Sequence, residues 1–334
     1  MEDYLRKVVQ YATYTNEGNR YGSLNQDAVF VETVTGRATG AVTAYIAAVL
    51  DGHGMLGEES AAIAGKAAVR YLVRALQRRE GDTPLTQPEG AVLMEKAFKR
   101  AHGASLQVYD SPPATYAYPK GAKQCKTFNL VKSEGEYCYT YGKHEERLLE
   151  CGTTCTAAII QGCHVLLAHV GDSSAVLGYV DEDAGNYEGE KVTEDHSCSN
   201  QAEVERVGQV PGAVITDDEP PYLRVGDGDW EGYEIGMTRA LGHRMLTDYG
   251  LISEPEVTHV MLEPRHCCLI LASDGVWPYV APGEAVRLVM EEVDNGASAA
   301  TAAEALVKYA VRMAIDSEDC NADNTTAAVF IFDF

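Results

Sequence analysis

Residues 43–54 have the sequence TAYIAAVLDGHG, an apolar run that ends in a polar, glycine-rich tetrapeptide. Such a run, bounded by turn residues, predicts a buried strand. A second strand-like run at 28–35 precedes it across a short glycine-containing segment, so the two together predict a β-hairpin. Apolar residues then recur at helical spacing over 57–79 and 88–108. We therefore expect two amphipathic helices to follow the hairpin.

The second half of the chain repeats this organisation. Strand-like runs at 153–160, 165–170 and 174–180 predict a β-meander, and a polar region after them contains a short helix candidate at 201–207. The remaining predicted elements are a strand at 267–272, helices at 282–293 and 299–315 with Ser298 as N-cap, and a strand at 326–332. Runs of strands separated by pairs of helices favour an α+β fold over alternating βαβ units.

Composition excludes several classes of protein. The chain has 334 residues, 46% of them hydrophobic, which is typical of a globular protein. Its net charge of −23 repels nucleic acid and anionic membranes. The longest apolar stretch, 38–50, is shorter than the about 20 residues of a membrane helix, and no leader pattern is visible. Nine scattered cysteines without a CxxC pair are typical of a reducing compartment, so we expect a cytoplasmic or nuclear protein.

Searches for common catalytic motifs exclude further chemistry. No cysteine is followed six positions later by arginine, as a cysteine-dependent phosphatase requires. Walker A, HExxH and GxSxG motifs are also absent from the sequence. Nucleotide hydrolysis through a Walker A loop, zinc peptidase chemistry and serine hydrolysis therefore have no support.

Four aspartates each flank a strand-like run: Asp27, Asp51, Asp274 and Asp323. Carboxylates at strand ends lie at the rim of a sheet, where they could bind a ligand. The alternative for Asp51 and Asp274 is a tight turn, because each is followed by glycine and Asp-Gly is a strong hairpin signal. Glycines on both sides of His53 let backbone carbonyls approach a cation, although a histidine in a turn is usually only a solvated polar residue.

Eight motifs along the chain, in this order, resemble those of the metal-dependent serine/threonine protein phosphatases of type 2C. They are NQD at 25–27, DGHG at 51–54, GTT at 152–154, GDS at 171–173, TRALG at 238–242, DYGLI at 248–252, SDGVW at 273–277 and DN at 323–324. The resemblance implies one catalytic domain over 1–334 with a four-layer αββα sandwich, in which two antiparallel sheets are flanked by helix pairs. It leaves 111–150 as an insertion or long loop and 181–235 as a flap region.

The resemblance also implies a site with two Mg²⁺ or Mn²⁺ ions. Asp51 would bridge both ions, the Gly52 carbonyl would bind one, Asp274 and Asp323 the other, and Asp27 would support the cluster. All-oxygen ligands suit these hard cations. A metal-bridging hydroxide would attack phosphoserine or phosphothreonine directly, and His53 would protonate the leaving alkoxide near neutral pH.

Several positions depart from the family pattern. The arginine that grips substrate phosphate is commonly five residues before Asp27, where Gly22 stands, so Arg20 is the candidate instead. Asp172 could serve a third, weaker cation, but Pro278 occupies the position of its usual partner and we expect that site to be weak or absent. His243 stands where the family usually has aspartate, which could be a structural substitution.

The sequence leaves alternatives open. The departures favour a catalytically weak pseudophosphatase that acts as a binding scaffold, whereas the intact aspartates and His53 favour the enzyme acting on phosphoproteins as a monomer. A two-metal nuclease or phosphodiesterase conflicts with the net charge of −23. The segment 111–150 is either a contact surface for an acidic partner or a solvated loop with packed tyrosines, and Trp230 is either a partner anchor or part of the flap core.

Overall fold

The computed structural model describes residues 8–36, 40–79, 81, 83–119, 125–133, 136–142, 145–181, 183–228, 230–318 and 320–332. The helices in these residues are α1 (Gly57–Gln77), α2 (Gln87–Ser105), α3 (Gln201–Val207), α4 (Pro282–Asp294) and α5 (Ala299–Asp316). The strands of the first half are β1 (Val8–Asn16), β2 (Asp27–Thr35), β3 (Val42–Gly54), β4 (Thr115–Tyr118), β5 (Lys126–Ser133), β6 (Glu136–Tyr141), β7 (Glu145–Leu148), β8 (Cys151–Thr153) and β9 (Cys155–Gln161). Those of the second half are β10 (His164–Val170), β11 (Ser174–Val180), β12 (Tyr187–Lys191), β13 (Ala213–Ile215), β14 (Leu223–Val225), β15 (Glu234–Ile235), β16 (Leu241–Gly242), β17 (Glu256–Met261), β18 (His266–Ala272) and β19 (Thr325–Phe332).

Two antiparallel sheets face each other and form the centre of the fold. One has the strand order β1-β19-β18-β11-β12, and the other has the order β16-β8-β3-β9-β10-β17 with β2 paired to β3. Helices α1 and α2 pack on the outer face of the second sheet, and α4 and α5 pack on that of the first. The predicted αββα sandwich is confirmed.

Side chains of β3 alternate between the two layers that enclose it. Ile46, Ala48 and Leu50 pack toward the helices, whereas Ala47 and Val49 pack between the sheets. Both faces are apolar because both are covered, so the strand is a continuous apolar run rather than an alternating one. The same two-residue period places Asp51, near the end of the strand, on the side that faces the other sheet.

The helices begin and end as their sequences require. Ser298 accepts a hydrogen bond from the Thr301 amide and caps α5, as predicted. Thr86 and Glu89 form a reciprocal capping box at the start of α2, which explains why this helix begins just after Thr86. Within the described residues, none of the helices combines the length and the apolar character needed to cross a membrane.

The predicted meander over 153–180 is wrong in its third strand. Strands β9 and β10 pair with each other, but β11 pairs with β18 and β12 in the opposite sheet. The turn at Gly171, with φ of 91°, carries the chain from one sheet to the other. Since β9 and β10 are buried along nearly their whole length on both faces, their apolar pattern could not indicate which sheet the next strand would join.

The long-loop alternative for 111–150 is also wrong, because the chain there forms a four-stranded antiparallel sheet, β4–β7. We call it the tyrosine-rich sheet. Its buried side chains Tyr116, Phe128 and Tyr139 pack against Met55 and Leu56, which precede α1. Alternating tyrosine and β-branched residues are typical of strands, although the prolines of this segment favour a loop. Its status as an insertion stays a prediction.

Candidate metal centre

Asp27 and Asp51 lie directly opposite each other at the ends of β2 and β3. The strand continues through Asp51 to Gly54, so the tight-turn alternative for Asp51 is wrong. Thr154 fixes the position of Asp51 through two hydrogen bonds: its Oγ1 accepts from the Asp51 amide, and its amide donates to the Asp51 carbonyl. Ser273 Oγ donates to Asp27 Oδ2 at 2.8 Å, which joins the second sheet to the first.

The opposite sheet contributes two more carboxylates to the same rim. Asp274 follows β18, and Asp172 lies in the turn between β10 and β11. Carboxylate oxygens from Asp51, Asp172 and Asp274 all lie within 4.8 Å of one another. The structure therefore brings Asp172 into the same cluster as two predicted metal ligands.

The four carboxylate side chains are half-buried, and several of their oxygen atoms are fully buried. Asp27 Oδ1, Asp172 Oδ1 and Asp274 Oδ1 have no hydrogen-bond partner among the described residues. Burial, with repulsion between the carboxylates as a further cause, raises the pKa of Asp27 and of Asp172 to about 7 and that of Asp274 to about 6. Burial and the neighbouring carboxylates raise the pKa of Asp51 well above its usual value. Orphaned oxygens of this kind fit a hard divalent cation, which would supply the missing positive charge.

Gly52 has no room for a side chain. A Cβ at this position would lie 2.2 Å from the Gly57 carbonyl oxygen and 2.6 Å from that of Gln26. The Gly52 amide donates to the same Gln26 carbonyl at 3.1 Å. The glycine thus lets the end of β3 lie directly against the segment that leads into Asp27.

Asp323 lies at the same rim but has a cationic partner. Its carboxylate forms an ion pair with the Arg20 guanidinium, whose side chain is 55% exposed. Its charge nevertheless contributes to the raised pKa values of Asp27, Asp51 and Asp274. Arg20, the predicted phosphate ligand, therefore contacts a carboxylate here.

Arg20 and Asp323 line a cavity of about 290 Å³ beside the cluster, together with Asp274, Gly275, Pro278, Tyr279 and Asn321. The predicted metal ligands Asp274 and Asp323 therefore line the same cavity as the Arg20 guanidinium. Pro278 lies in this lining, whereas Asp172 does not.

We expect Mg²⁺ or Mn²⁺ to raise the melting temperature of the protein. Occupancy of one site at 100 times the dissociation constant contributes about 2.7 kcal/mol, which corresponds to roughly 4 °C in a chain of this size. The pKa values of Asp27 and Asp274, about 7 and about 6, lie above those of the unfolded chain. The metal-free protein therefore loses stability as pH rises from about 4 through 7. Cation binding has the opposite pH dependence, because it requires deprotonated carboxylates.

The cation-induced shift should therefore be larger at pH 8 than at pH 5. Differential scanning fluorimetry with Mn²⁺, with Mg²⁺ and with EDTA at both pH values measures it. Melting curves that do not depend on the cation at either pH would count against the metal centre.

His53 contacts His243, the residue that replaces the aspartate usual in the family. Its Nε2 lies 2.6 Å from His243 Nε2, and the rings stack with centroids 4.7 Å apart. On the far side, His243 Nδ1 lies 3.5 Å from the carboxylate of Glu150. Glu150 Oε1 also accepts from the backbone amides of Met245 and Leu246. No sequence signal marked Glu150, because it belongs to none of the motifs.

The surroundings of His53 favour the neutral form of its imidazole ring. Burial, followed by the charge of His243, lowers the pKa of His53 well below 6.5. Proton donation by His53 near neutral pH, which the resemblance implies, therefore requires a ligand that stabilises the imidazolium form. A phosphate dianion beside the ring would favour the imidazolium form and act in the opposite direction.

The variant His243→Asp should raise the pKa of His53, because an adjacent carboxylate favours the imidazolium form by about one unit or more. If His53 acts as a general acid, the basic limb of the pH profile for kcat on a phosphopeptide should move to higher pH. His243→Asn is the matched control, since it has nearly the same shape without the charge. Identical basic limbs in the two variants would contradict this interpretation.

A second group of potential ligands lies on the flank of the sandwich. His169, His196 and Glu256 offer atoms within 4.8 Å of one another. The two imidazole rings stack with centroids 4.4 Å apart and an interplanar angle of 17°. Near-parallel stacked rings direct their in-plane lone pairs side by side rather than at one ion, so this group is a poor metal site.

Comparison with known proteins agrees with the fold and the motifs. The sequence model of the family described as protein phosphatase 2C matches residues 116–319, more than half of the chain. Probable protein phosphatase 2C 41 of Arabidopsis thaliana is 36% identical over 139 residues, which cover 41% of this chain and 40% of the relative. Probable protein phosphatase 2C 64 of Oryza sativa subsp. japonica is 29% identical over 307 residues, covering 90% of this chain and 60% of the relative. The matches thus span about half the length of these curated relatives.

Solved structures share the architecture. A serine-threonine phosphatase 2C from Toxoplasma gondii superimposes with a TM-score of 0.73 at 21% identity, covering 97% of this chain and 94% of the other. A sex determining protein of C. elegans superimposes with a TM-score of 0.65 at 19% identity, covering 97% of this chain and 65% of the other. The chain belongs to the protein phosphatase 2C family.

Proposed function

We propose that this protein hydrolyses phosphoserine and phosphothreonine in phosphoproteins, with two Mg²⁺ or Mn²⁺ ions at the carboxylate cluster. The observation that carries the proposal is the group of half-buried carboxylates at one rim, in which buried oxygens of Asp27, Asp172 and Asp274 have no hydrogen-bond partner among the described residues. Family membership supports the same activity. A close group of partly desolvated like charges is costly unless something binds to it, and a cation is the ligand that fits.

In this proposal Asp51 and Asp274 would hold the ions, with Asp27 and Asp172 as further oxygen ligands. Asp323, which the resemblance also implies as a ligand, would join them once it releases Arg20. When bound, the ions would supply an activated water and would offset negative charge on the phosphoryl group. His53 donates a proton to the leaving serine or threonine alkoxide, which is a poor leaving group. His243, held near Glu150, keeps the His53 ring in one orientation. Arg20 binds the substrate phosphate once it exchanges Asp323 for phosphate oxygens.

The test is phosphate release from a phosphothreonine peptide by the purified protein with Mn²⁺, with Mg²⁺ and with EDTA. We expect release with either cation and none above background with EDTA. Release that persists in EDTA would exclude a metal mechanism.

A binding scaffold without turnover is the second candidate, and the Arg20–Asp323 ion pair favours it. A substrate phosphate must compete with the Asp323 carboxylate for the Arg20 guanidinium. Gly22, at the position where the family commonly has an arginine, has no side chain that could bind the phosphate instead. Cation binding by calorimetry without phosphate release from any peptide would support the scaffold.

A further inference from the structure

A groove adjoins the metal centre and separates two accessory sheets. One wall is the tyrosine-rich sheet, with Tyr118, Arg147 and Leu148. The other is a three-stranded sheet, β13–β15, whose loop before β15 supplies Trp230 and Tyr233. The cavity measures about 480 Å³, within the range of sites that enclose small ligands or side chains.

The floor of the groove is continuous with the metal-binding strand. Gly54 and Met55 line it, and they follow Asp51 and Gly52 closely in the chain. Three extended residues span at most about 10 Å. A polypeptide whose phosphorylated residue lies at the metal centre therefore has the residues one to three positions away within reach of this groove.

Hydrogen bonds connect the tyrosine-rich sheet to the strand ends at the metal centre. Tyr116 donates to the carboxylate of Glu58 at 3.0 Å, and Glu58 in turn accepts from Gln26 Nε2 at 3.3 Å. The same Gln26 amide donates to the Gly54 carbonyl at 2.9 Å. Because Gln26 precedes Asp27, one set of polar contacts joins the wall, the floor and a predicted metal ligand.

The chemistry of the lining indicates what would bind. Trp230 and Tyr118 are half-buried and present aromatic surface, and the guanidinium of Arg147 lies 5.3 Å from the Tyr118 ring centroid. Glu146 and Glu231 are exposed at the edge. An aromatic cleft with acidic edges fits a bulky apolar side chain followed by a basic residue, and the net charge of −23 favours the same partner.

We propose that this groove is a specificity site that binds a bulky apolar side chain, flanked by a basic residue, one to three positions from the phosphorylated residue of the substrate. The proposal rests on the proposed function, because only a phosphoprotein substrate places its chain along the floor. Trp230 thus belongs both to the packed cluster of the three-stranded sheet and to the surface that contacts substrate.

The test uses a set of phosphothreonine peptides, each with a leucine followed by an arginine. The leucine stands one, two or three positions before or after the phosphorylated residue. At one placement, replacing leucine with alanine should lower kcat/KM about tenfold, equivalent to ~1.4 kcal/mol. Trp230→Ala should abolish this discrimination, and Glu231→Lys should reverse the preference for arginine over glutamate. Hydrolysis of para-nitrophenyl phosphate, which is too small to reach the groove, should change less than twofold in both variants.

Tyr141→Ala is the matched control, since Tyr141 lies on the tyrosine-rich sheet, is 44% exposed and does not line the groove. It should retain the full discrimination. Peptide binding is measured in parallel by fluorescence anisotropy, so that loss of chemistry and loss of recognition are distinguished. No hydrolysis of any substrate, but binding that still prefers leucine, would support the groove and refute the proposed function. Metal-dependent hydrolysis and binding that vary less than twofold across all placements would overturn the groove.

Discussion

The variant Asp274→Asn should lose Mn²⁺-dependent phosphate release by at least about 100-fold and, without metal, melt at a higher temperature than the wild type. Activity falls because a neutral amide replaces an anionic group proposed to bind the ions, and even residues that only support metal ligands are worth 10- to 100-fold. Stability rises because the substitution removes one of several partly desolvated, mutually repelling charges. Phosphopeptide hydrolysis and scanning fluorimetry with EDTA measure the two effects.

Lower activity together with a higher metal-free melting temperature distinguishes a ligand-binding carboxylate from one that stabilises the fold. The control is Asp217→Asn, an exposed aspartate on which we expect neither effect. If Asp274→Asn instead lowered the metal-free melting temperature and left activity near that of the wild type, the carboxylate would be a structural group.

The variant His53→Ala should lose about 10²- to 10⁴-fold in kcat on a phosphothreonine peptide, the range typical of a lost general acid. On para-nitrophenyl phosphate the loss should be less than about tenfold, because nitrophenolate leaves without a proton. His259→Ala is a suitable control, since His259 also stacks on another histidine, His164, but lies on β17. Steady-state kinetics on both substrates at saturating Mn²⁺ provide the comparison.

Equal losses on the two substrates would show that His53 does not protonate the leaving group. The ring would then act through its contact with His243, and its removal would disturb the end of β3 instead. A loss confined to the peptide would support proton donation, even though burial lowers the pKa of His53 in the protein without ligands.

Most of the sandwich follows from local sequence patterns. The hairpin of β2 and β3 and the N-cap of α5 depend on neighbouring residues, so period and capping signals suffice to predict them. Local patterns do not reveal the sheet to which β11 belongs, because a strand that is apolar on both faces fits equally well in either sheet. The sheet within 111–150 was not predicted, because the prolines at the start of the segment favour a loop and oppose the strand pattern that follows.

The candidate site shows the same division. Asp27, Asp51 and Asp274 are marked in the sequence by their positions at strand ends, and the structure brings them to one rim. The closeness of Asp172 to Asp51 depends on the packing of two sheets, which no local pattern encodes. The contact of Glu150 with His243 joins residues 93 positions apart in the chain and carries no motif.

The most direct measurement titrates metal-free protein with Mn²⁺ and follows bound Mn²⁺ and phosphothreonine-peptide hydrolysis in the same sample. Electron paramagnetic resonance reports free Mn²⁺, so occupancy and activity can be compared point by point. We predict that activity rises as two ions bind per chain, and that Asp274→Asn prevents both binding at the cluster and activity. Hydrolysis by wild-type protein that has bound no Mn²⁺, or two bound ions without any hydrolysis, would contradict the account.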